Sequence, residues 1–234
     1  LNIWHGVKFL SFLSGRVAAP SHDFTYQDMN NLKVRKLYDR AGIGDMERAS
    51  AGELELITLV ANWANSQWGH IQPMPYAAWD AHEILDRVEA GDGFWCTYKA
   101  ALFVQAMNSA GFSARMLGIN RKDRDAHTVT EVYSNTFRKW VLVDPWKNCY
   151  FVRDGIPISA REMHDAIGNS DGICAVFGEN GHYLEYWDHK SGKSDTIPHA
   201  GKTVPIGSDI FNDFPGYFYD LRIVMRNDHT SHPQ

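Results

Sequence analysis

The sequence has no apolar run approaching the roughly 18 residues that a membrane-spanning helix needs. It has no long basic run either, and Asp plus Glu outnumber Lys plus Arg by 28 to 23, for a formal net charge of -5. A nucleic-acid binder carries a basic domain or stripe, so no nucleic-acid partner is expected. Cysteine is scarce, with three residues at Cys96, Cys149 and Cys174 and no C-x-x-C pair, which speaks against a zinc ribbon or a thioredoxin-type site. The odd count leaves at least one thiol free. Cys149 and Cys174 could pair or could both be core thiols. No Gly-x-Gly-x-x-Gly or Walker-type loop occurs, which excludes the common nucleotide cradles. His82-Glu83 begins like His-Glu-x-x-His, but Asp86 stands at the last position, so the zinc-protease pattern fails. With no Asp-x-Asp-x-Asp-Gly loop either, no metal and no cofactor is expected.

What is present suits a globular chain. The 234 residues can bury a full core, and 44% apolar with 22% charged residues excludes a disordered chain. Eight tryptophans point first to core filling and second to a groove for flat ligands. No linker or internal repeat interrupts residues 1–234, so one domain is expected. Residue 1 is Leu rather than Met, so a preceding segment is expected to have been removed. The expected location leans to secreted or periplasmic, although cysteine usage leaves the compartment open. The sequence does not speak to oligomeric state.

Local patterns predict helices first and strands later. Val7–Leu13 reads as a strand, Pro20–Asp23 as a loop and Asn31–Arg40 as a short helix. Ser50-Ala-Gly-Glu53 has the capping-box form, and Leu54, Ile57, Val60, Ala61, Ala64 and Trp68 then recur at helical spacing. That predicts a helix of about 18 residues ended by Gly69. Asp80–Ala90 reads as a second helix. Cys96–Ala110 lacks Gly and Pro, and Gly111 fits the C′ position, which puts Cys96 at a helix N-terminus. Ser113–Ile119, His127–Tyr133 and Trp140–Val143 read as strands, separated by a charged loop (120–126) and a four-residue turn (134–137). Pairing Tyr133 with Arg138 sets His127 opposite Asp144, both on one face. Ser159-Ala-Arg-Glu162 is a second capping-box match, opening a helix to about Ile167. Tyr183–Trp187 and Leu221–Met225 read as strands of a returning sheet.

These elements bring together a nucleophile, a base and an orienting acid. A lone Cys on a helix is more often a buried hydrophobe than a nucleophile. At a helix N-terminus, however, free N–H groups and a partial positive charge favour the thiolate. Gly91 and Gly93 just before it permit close approach of backbone to substrate. His127 is placed to hold the thiolate as an ion pair and to protonate a leaving amine. Asp144 supplies the acceptor that fixes the imidazole. Gln67 and Trp68, each with a side-chain N–H on the preceding helix, are the candidate oxyanion donors beside the Cys96 backbone N–H. Trp95 and Trp146 flank the triad in sequence and are candidates to line a substrate groove. His229 and His232 lie in a polar tail and carry no assignment.

Three spaced motifs also carry a family resemblance. Gly93-Phe-Trp-Cys96, with Ala106 and Ala110-Gly111-Phe-Ser-Ala-Arg115, His127-Thr-Val-Thr-Glu131-Val-Tyr133 and Trp140-Val-Leu-Val-Asp144-Pro145, resembles the transglutaminase-like core. The resemblance covers about residues 50–150. It implies an α+β, papain-like fold in which N-terminal helices, one with the Cys at its N-terminus, pack on an antiparallel β-sheet. Cys96, His127 and Asp144 match the positions of that superfamily's triad. Trp63-Ala-Asn-Ser-Gln67-Trp68 resembles the helix before the Cys in bacterial members. Phe94-Trp95 departs from the Gly-Gln-Cys-Trp pattern of animal crosslinking enzymes, and the zinc-binding Cys pairs of peptide N-glycanases are absent. The expected activity is cysteine-dependent hydrolysis of a peptide or other amide through an acyl-enzyme. Acyl transfer to an amine and a non-catalytic binding module on the same fold are the alternatives.

Overall fold

A computed structural model of the chain describes residues 31–69, 71, 76–120, 126–166, 169–188, 193–198, 200–206, 218 and 220–225. The strand expected at Val7–Leu13, the loop at Pro20–Asp23, most of the charged loop after Asn120 and the tail with His229 and His232 lie outside them. Among the described residues no helix is long and apolar enough to cross a membrane.

The helices come first. In α1, Leu32–Arg40, the Asn31 side chain caps the N-terminus by accepting from the Lys33 N–H at 2.9 Å, and Val34 and Leu37 turn inward. A helix not foreseen, α2 (Ile43–Ala49), follows directly. It overturns the capping box at Ser50. Ser50 is the C-cap of α2, and its hydroxyl donates back to the Glu47 carbonyl at 3.2 Å. Gly52 is the residue before α3, which spans Glu53–Ser66 and is 14 residues long rather than about 18. Glu53 instead reaches across to the turn after β2 (below), accepting from Ser134 Oγ, Asn135 Nδ2 and the Thr136 N–H. Helix α4 (Ala81–Glu89) starts on the Asp80 carboxylate and stops before Gly91, whose φ of 103° suits glycine.

Helix α5, Cys96–Ser109, is buried from Tyr98 to Ser109 on all sides. It packs between α1, α3 and α4 on one side and the sheet on the other. Its buried polar side chains are partnered except at Asn108 Nδ2. Gln105 accepts from the Ala81 N–H and donates to the Trp79 carbonyl, and Asn108 accepts from the Ala114 N–H. Gly111 ends the helix at φ 84°, as its spacing predicts.

The sheet holds β1 (Ala114–Asn120), β2 (Ala126–Ser134), β3 (Lys139–Asp144), β4 (Cys149–Arg153), β5 (Ile156–Pro157), β6 (Ile173–Phe177), β9 (Thr203–Pro205) and β10 (Asp220–Met225). All pairs are antiparallel, in the order β10-β1-β2-β3-β4-β6-β9, with β5 against β4. The returning strand at 221–225 is therefore present. The one at 183–187 is not part of this sheet: β7 (His182–Asp188) pairs with β8 (Lys193–Pro198) in a two-stranded sheet of its own. Alternation splits the core. Met116, Val132, Val141 and Val143 face the helices, whereas Leu117, Val129, Leu142 and Phe151 face Ile158, Met163 and Phe218 on the other side. Helix α6 (Ala160–Asp165) lies on that second side and opens with the expected capping box of Ser159 and Glu162.

The β2–β3 register differs from expectation by two residues. Tyr133 pairs with Trp140, not Arg138, and Ser134 with Lys139. The four loop residues are 135–138, with Arg138 at φ 56° closing the turn. Cys149 and Cys174 are both free thiols. They sit opposite Phe177 and Val152 across the β4–β6 ladder, so the two do not face each other.

Candidate active site

Cys96 is the first residue of α5 and is half-buried. The first N–H groups of a helix have no partner within it, so they point at this end of the chain. Trp95 before it is extended and makes no side-chain cap. Two contacts seat the start of the helix. Trp68 Nε1 donates to the Phe94 carbonyl at 2.9 Å, and Thr97 Oγ1 lies 3.0 Å from Thr128 Oγ1 on β2. The second contact sets the sulfur beside the next residue back on β2, His127.

His127 Nε2 is 2.8 Å from Asp144 Oδ2, and the imidazole hydrogen-bonds the Cys96 sulfur as well, which leaves Nδ1 for the sulfur. The Thr128 backbone N–H also donates to the sulfur. Asp144 is fully buried at the end of β3, where Oδ1 accepts from the Trp146 and Lys147 N–H groups at 3.0 Å each. The carboxylate is thereby held by a turn on one oxygen and by the imidazole on the other. The diagonal placement caused by the two-residue shift keeps the pair on one face, because side-chain direction repeats every two residues.

The electrostatics match an ion pair. Burial alone would raise the Cys96 thiol, but the His127 charge and its hydrogen bond outweigh that and bring it below its ordinary value. Burial would lower His127, yet the Asp144 and Cys96 charges push it up to about 10. Asp144 is brought below the usual carboxylate range, with the burial penalty outweighed by the charge and hydrogen bond of His127. Cys149 is pushed well up by burial, with the Asp144 charge adding to the rise and Lys147 opposing it.

The two expected oxyanion donors have other partners. The Trp68 N–H is committed to Phe94 inside the core, with 5% of the residue exposed. Gln67 Nε2 donates to the Trp63 carbonyl at 2.8 Å, turning the amide back on its own helix. The Phe94 carbonyl is thus paired by a side chain from just beyond the end of α3. Trp95 is 42% exposed beside Cys96, whereas Trp146 is half-buried with the Lys99 ammonium 5.2 Å from its ring centroid. Three participants escaped the sequence reading: Thr128, Asn65 and Lys99. Lys99 alone carried a signal, since its i+3 spacing from Cys96 puts both on one side of the helix. Among the described residues no group of three or more His, Cys, Asp or Glu is placed to hold a metal ion.

Residues 44–145 match the family model described as the transglutaminase-like superfamily. No match is found among curated proteins. Among solved structures, the chain is similar to a candidate protease from Parabacteroides distasonis ATCC 8503, at 13% identity and TM-score 0.35, over 71% of this chain and 30% of that one. The chain thus spans less than a third of that protein. It is also similar to arylamine N-acetyltransferase C from Bacillus anthracis, at 10% identity and TM-score 0.29, over 80% of this chain and 98% of that one. The family match covers somewhat under half of the chain, and the described helices and antiparallel sheet make an α+β fold.

Proposed function

We propose that the protein is a cysteine-dependent enzyme that hydrolyses a peptide or another amide, with Cys96 as nucleophile, His127 as acid and base, and Asp144 as the orienting group. The observation that carries this reading is the continuous chain from sulfur to imidazole to buried carboxylate, with a helix N-terminus at the sulfur. In the first step the Cys96 thiolate attacks the amide carbonyl carbon. A carbon–sulfur bond forms, and the oxyanion is held by the Cys96 backbone N–H. His127 then gives its Nδ1 proton to the leaving amine as the carbon–nitrogen bond breaks, leaving a thioester. Water attacks the thioester, His127 takes the water proton, and the acid departs as the thiolate is restored. The exposed Trp95 ring, next to the nucleophile, suits an apolar substrate side chain.

The test is alkylation of Cys96 by iodoacetamide across pH, read by peptide mass spectrometry, in wild type and His127→Ala. Rapid labelling of Cys96 below pH 7, lost in the variant while Cys149 stays inert, supports the reading. Labelling only above about pH 8, the range of an ordinary thiol, and indifferent to the variant, refutes it. Peptide amides incubated with and without a primary amine then separate the two acceptors. An acid product alone supports hydrolysis, and an amine adduct supports transfer.

A further inference from the structure

Lys99 is 3% exposed, and among the described residues its ammonium touches no carboxylate. It donates to the Asn65 backbone carbonyl at 2.6 Å and lies 5.2 Å from the ring centroids of both Trp68 and Trp146. A methionine would fill much the same space without burying a charge. Each of the three partners leads to the candidate active site. Trp68 holds the Phe94 carbonyl, two residues before Cys96. Asn65 Nδ2 donates to the Pro145 and Trp146 carbonyls at 2.9 Å each. Trp146 in turn donates its N–H to Asp144 Oδ1. Lys99 therefore stands where the stretch before Cys96 and the turn after Asp144 are joined through α3.

Resting on the role given above to Cys96, His127 and Asp144, we propose that Lys99 is a positioning residue. Its ammonium, gripped between Trp68 and Trp146, locks the Asp144-Pro145-Trp146 turn to the helices that seat Cys96, and the lock loosens when the charge is lost. The attraction to a ring face requires the cation, so neutral Lys99 keeps the carbonyl hydrogen bond and loses both rings. Burial holds the amine down to about 7, against the opposing pull of the Asp144 carboxylate. Asp144 on β3 is the ionisable group whose charge acts on it, while α3 presents the Asn65 carbonyl and Trp68, just past its end, a ring rather than a charge. The lock thus changes state within the neutral range.

The experiment is the rate of Cys96 alkylation by iodoacetamide from pH 5 to 9 in wild type, Lys99→Met and Lys99→Arg. The wild-type rate is expected to step down about five- to tenfold as Lys99 loses its charge near neutrality. Lys99→Met is expected to show the lower rate throughout, with no step. Lys99→Arg, which keeps its charge, is expected to show the higher rate without the step. Superimposable profiles for wild type and Lys99→Met overturn the proposal. Should a variant fail to fold by circular dichroism, the wild type alone decides. The Lys99 13Cε resonance and the alkylation rate must then titrate together, and a separation of more than about one pH unit overturns the proposal. A wild-type Cys96 that is unreactive below pH 8 refutes the catalytic reading, whereas a reactive Cys96 indifferent to Lys99 refutes this inference alone.

Discussion

His127 and Asp144 sit on neighbouring strands two residues out of direct opposition, and their side chains still meet at 2.8 Å. One step beyond the last ladder pair, Thr130 with Val143, Asp144 falls beside Val129. A diagonal of this kind is within reach of long side chains on one face. It also frees the second carboxylate oxygen for the Trp146 and Lys147 N–H groups, so the turn after β3 orients the acid before the imidazole meets it.

Asp144→Asn preserves an oxygen for that turn but presents N–H where His127 Nε2 needs an acceptor. Cys96 alkylation at pH 6 is expected to fall roughly 100-fold or more, with little change in the far-UV spectrum. Asp144→Ala leaves the Trp146 and Lys147 N–H groups and His127 Nε2 without their acceptor, and is expected to cost about 3–5 kcal/mol in urea unfolding. Equal alkylation rates in wild type and Asp144→Asn would exclude an orienting role for Asp144.

The pH dependence follows from the directions of the shifts. The thiolate–imidazolium pair holds from the lowered Cys96 value up to about 10 at His127, so the pair itself adds no change in alkylation across neutrality beyond the Lys99 step, and the rate falls in acid. For stability, His127 is raised in the folded protein. Its contribution is fully present below its ordinary value near 6.5 and is lost as the pH rises through about 10. His127→Ala should therefore cost more stability at pH 6 than at pH 10, measured as urea midpoints.

Lys99 has the opposite sign. Its folded value is lowered from 10.5 to about 7, so between those limits the unfolded chain holds a proton that the folded one does not. The difference between Lys99→Met and wild type isolates this effect from that of His127. Lys99→Met should be the more stable protein at pH 6, by on the order of a few kcal/mol, and lose the advantage as the pH approaches 10. A variant that gains stability while Cys96 slows would separate positioning from packing.

Arg115 and Glu131 form an ion pair across β1 and β2, with Glu131 1% exposed. Arg115 Nε and Nη2 both donate to one oxygen, at 2.8 and 2.6 Å, while the other accepts from the Ala160 N–H at the start of α6. The guanidinium lies 4.0 Å from the Trp140 ring centroid. Arg115→Ala leaves the carboxylate buried without its cation and is expected to cost about 3–5 kcal/mol. Arg115→Lys, a point charge that neither forks nor stacks, should recover only part of this in the same unfolding titration.

Much of this protein is decided locally and is legible in one dimension. Asp80 before α4, Gly111 after α5, the Ser159–Glu162 box and the β-branched runs of β2 and β3 depend on neighbours a few residues away, and they behave as their chemistry dictates. So does the meeting of His127 with Asp144, because a two-residue error in register leaves the face unchanged. Tertiary structure decided the rest. Ser50 is taken by the end of α2, and Glu53 by a hairpin more than 80 residues on, because a buried or half-buried polar group takes the partner that packing brings. The same rule gave the Trp68 N–H to Phe94 and Lys99 to a carbonyl and two rings. Spacing sets which way a side chain points. Only the packed fold sets which acceptor is waiting there and how much water is left to compete with it.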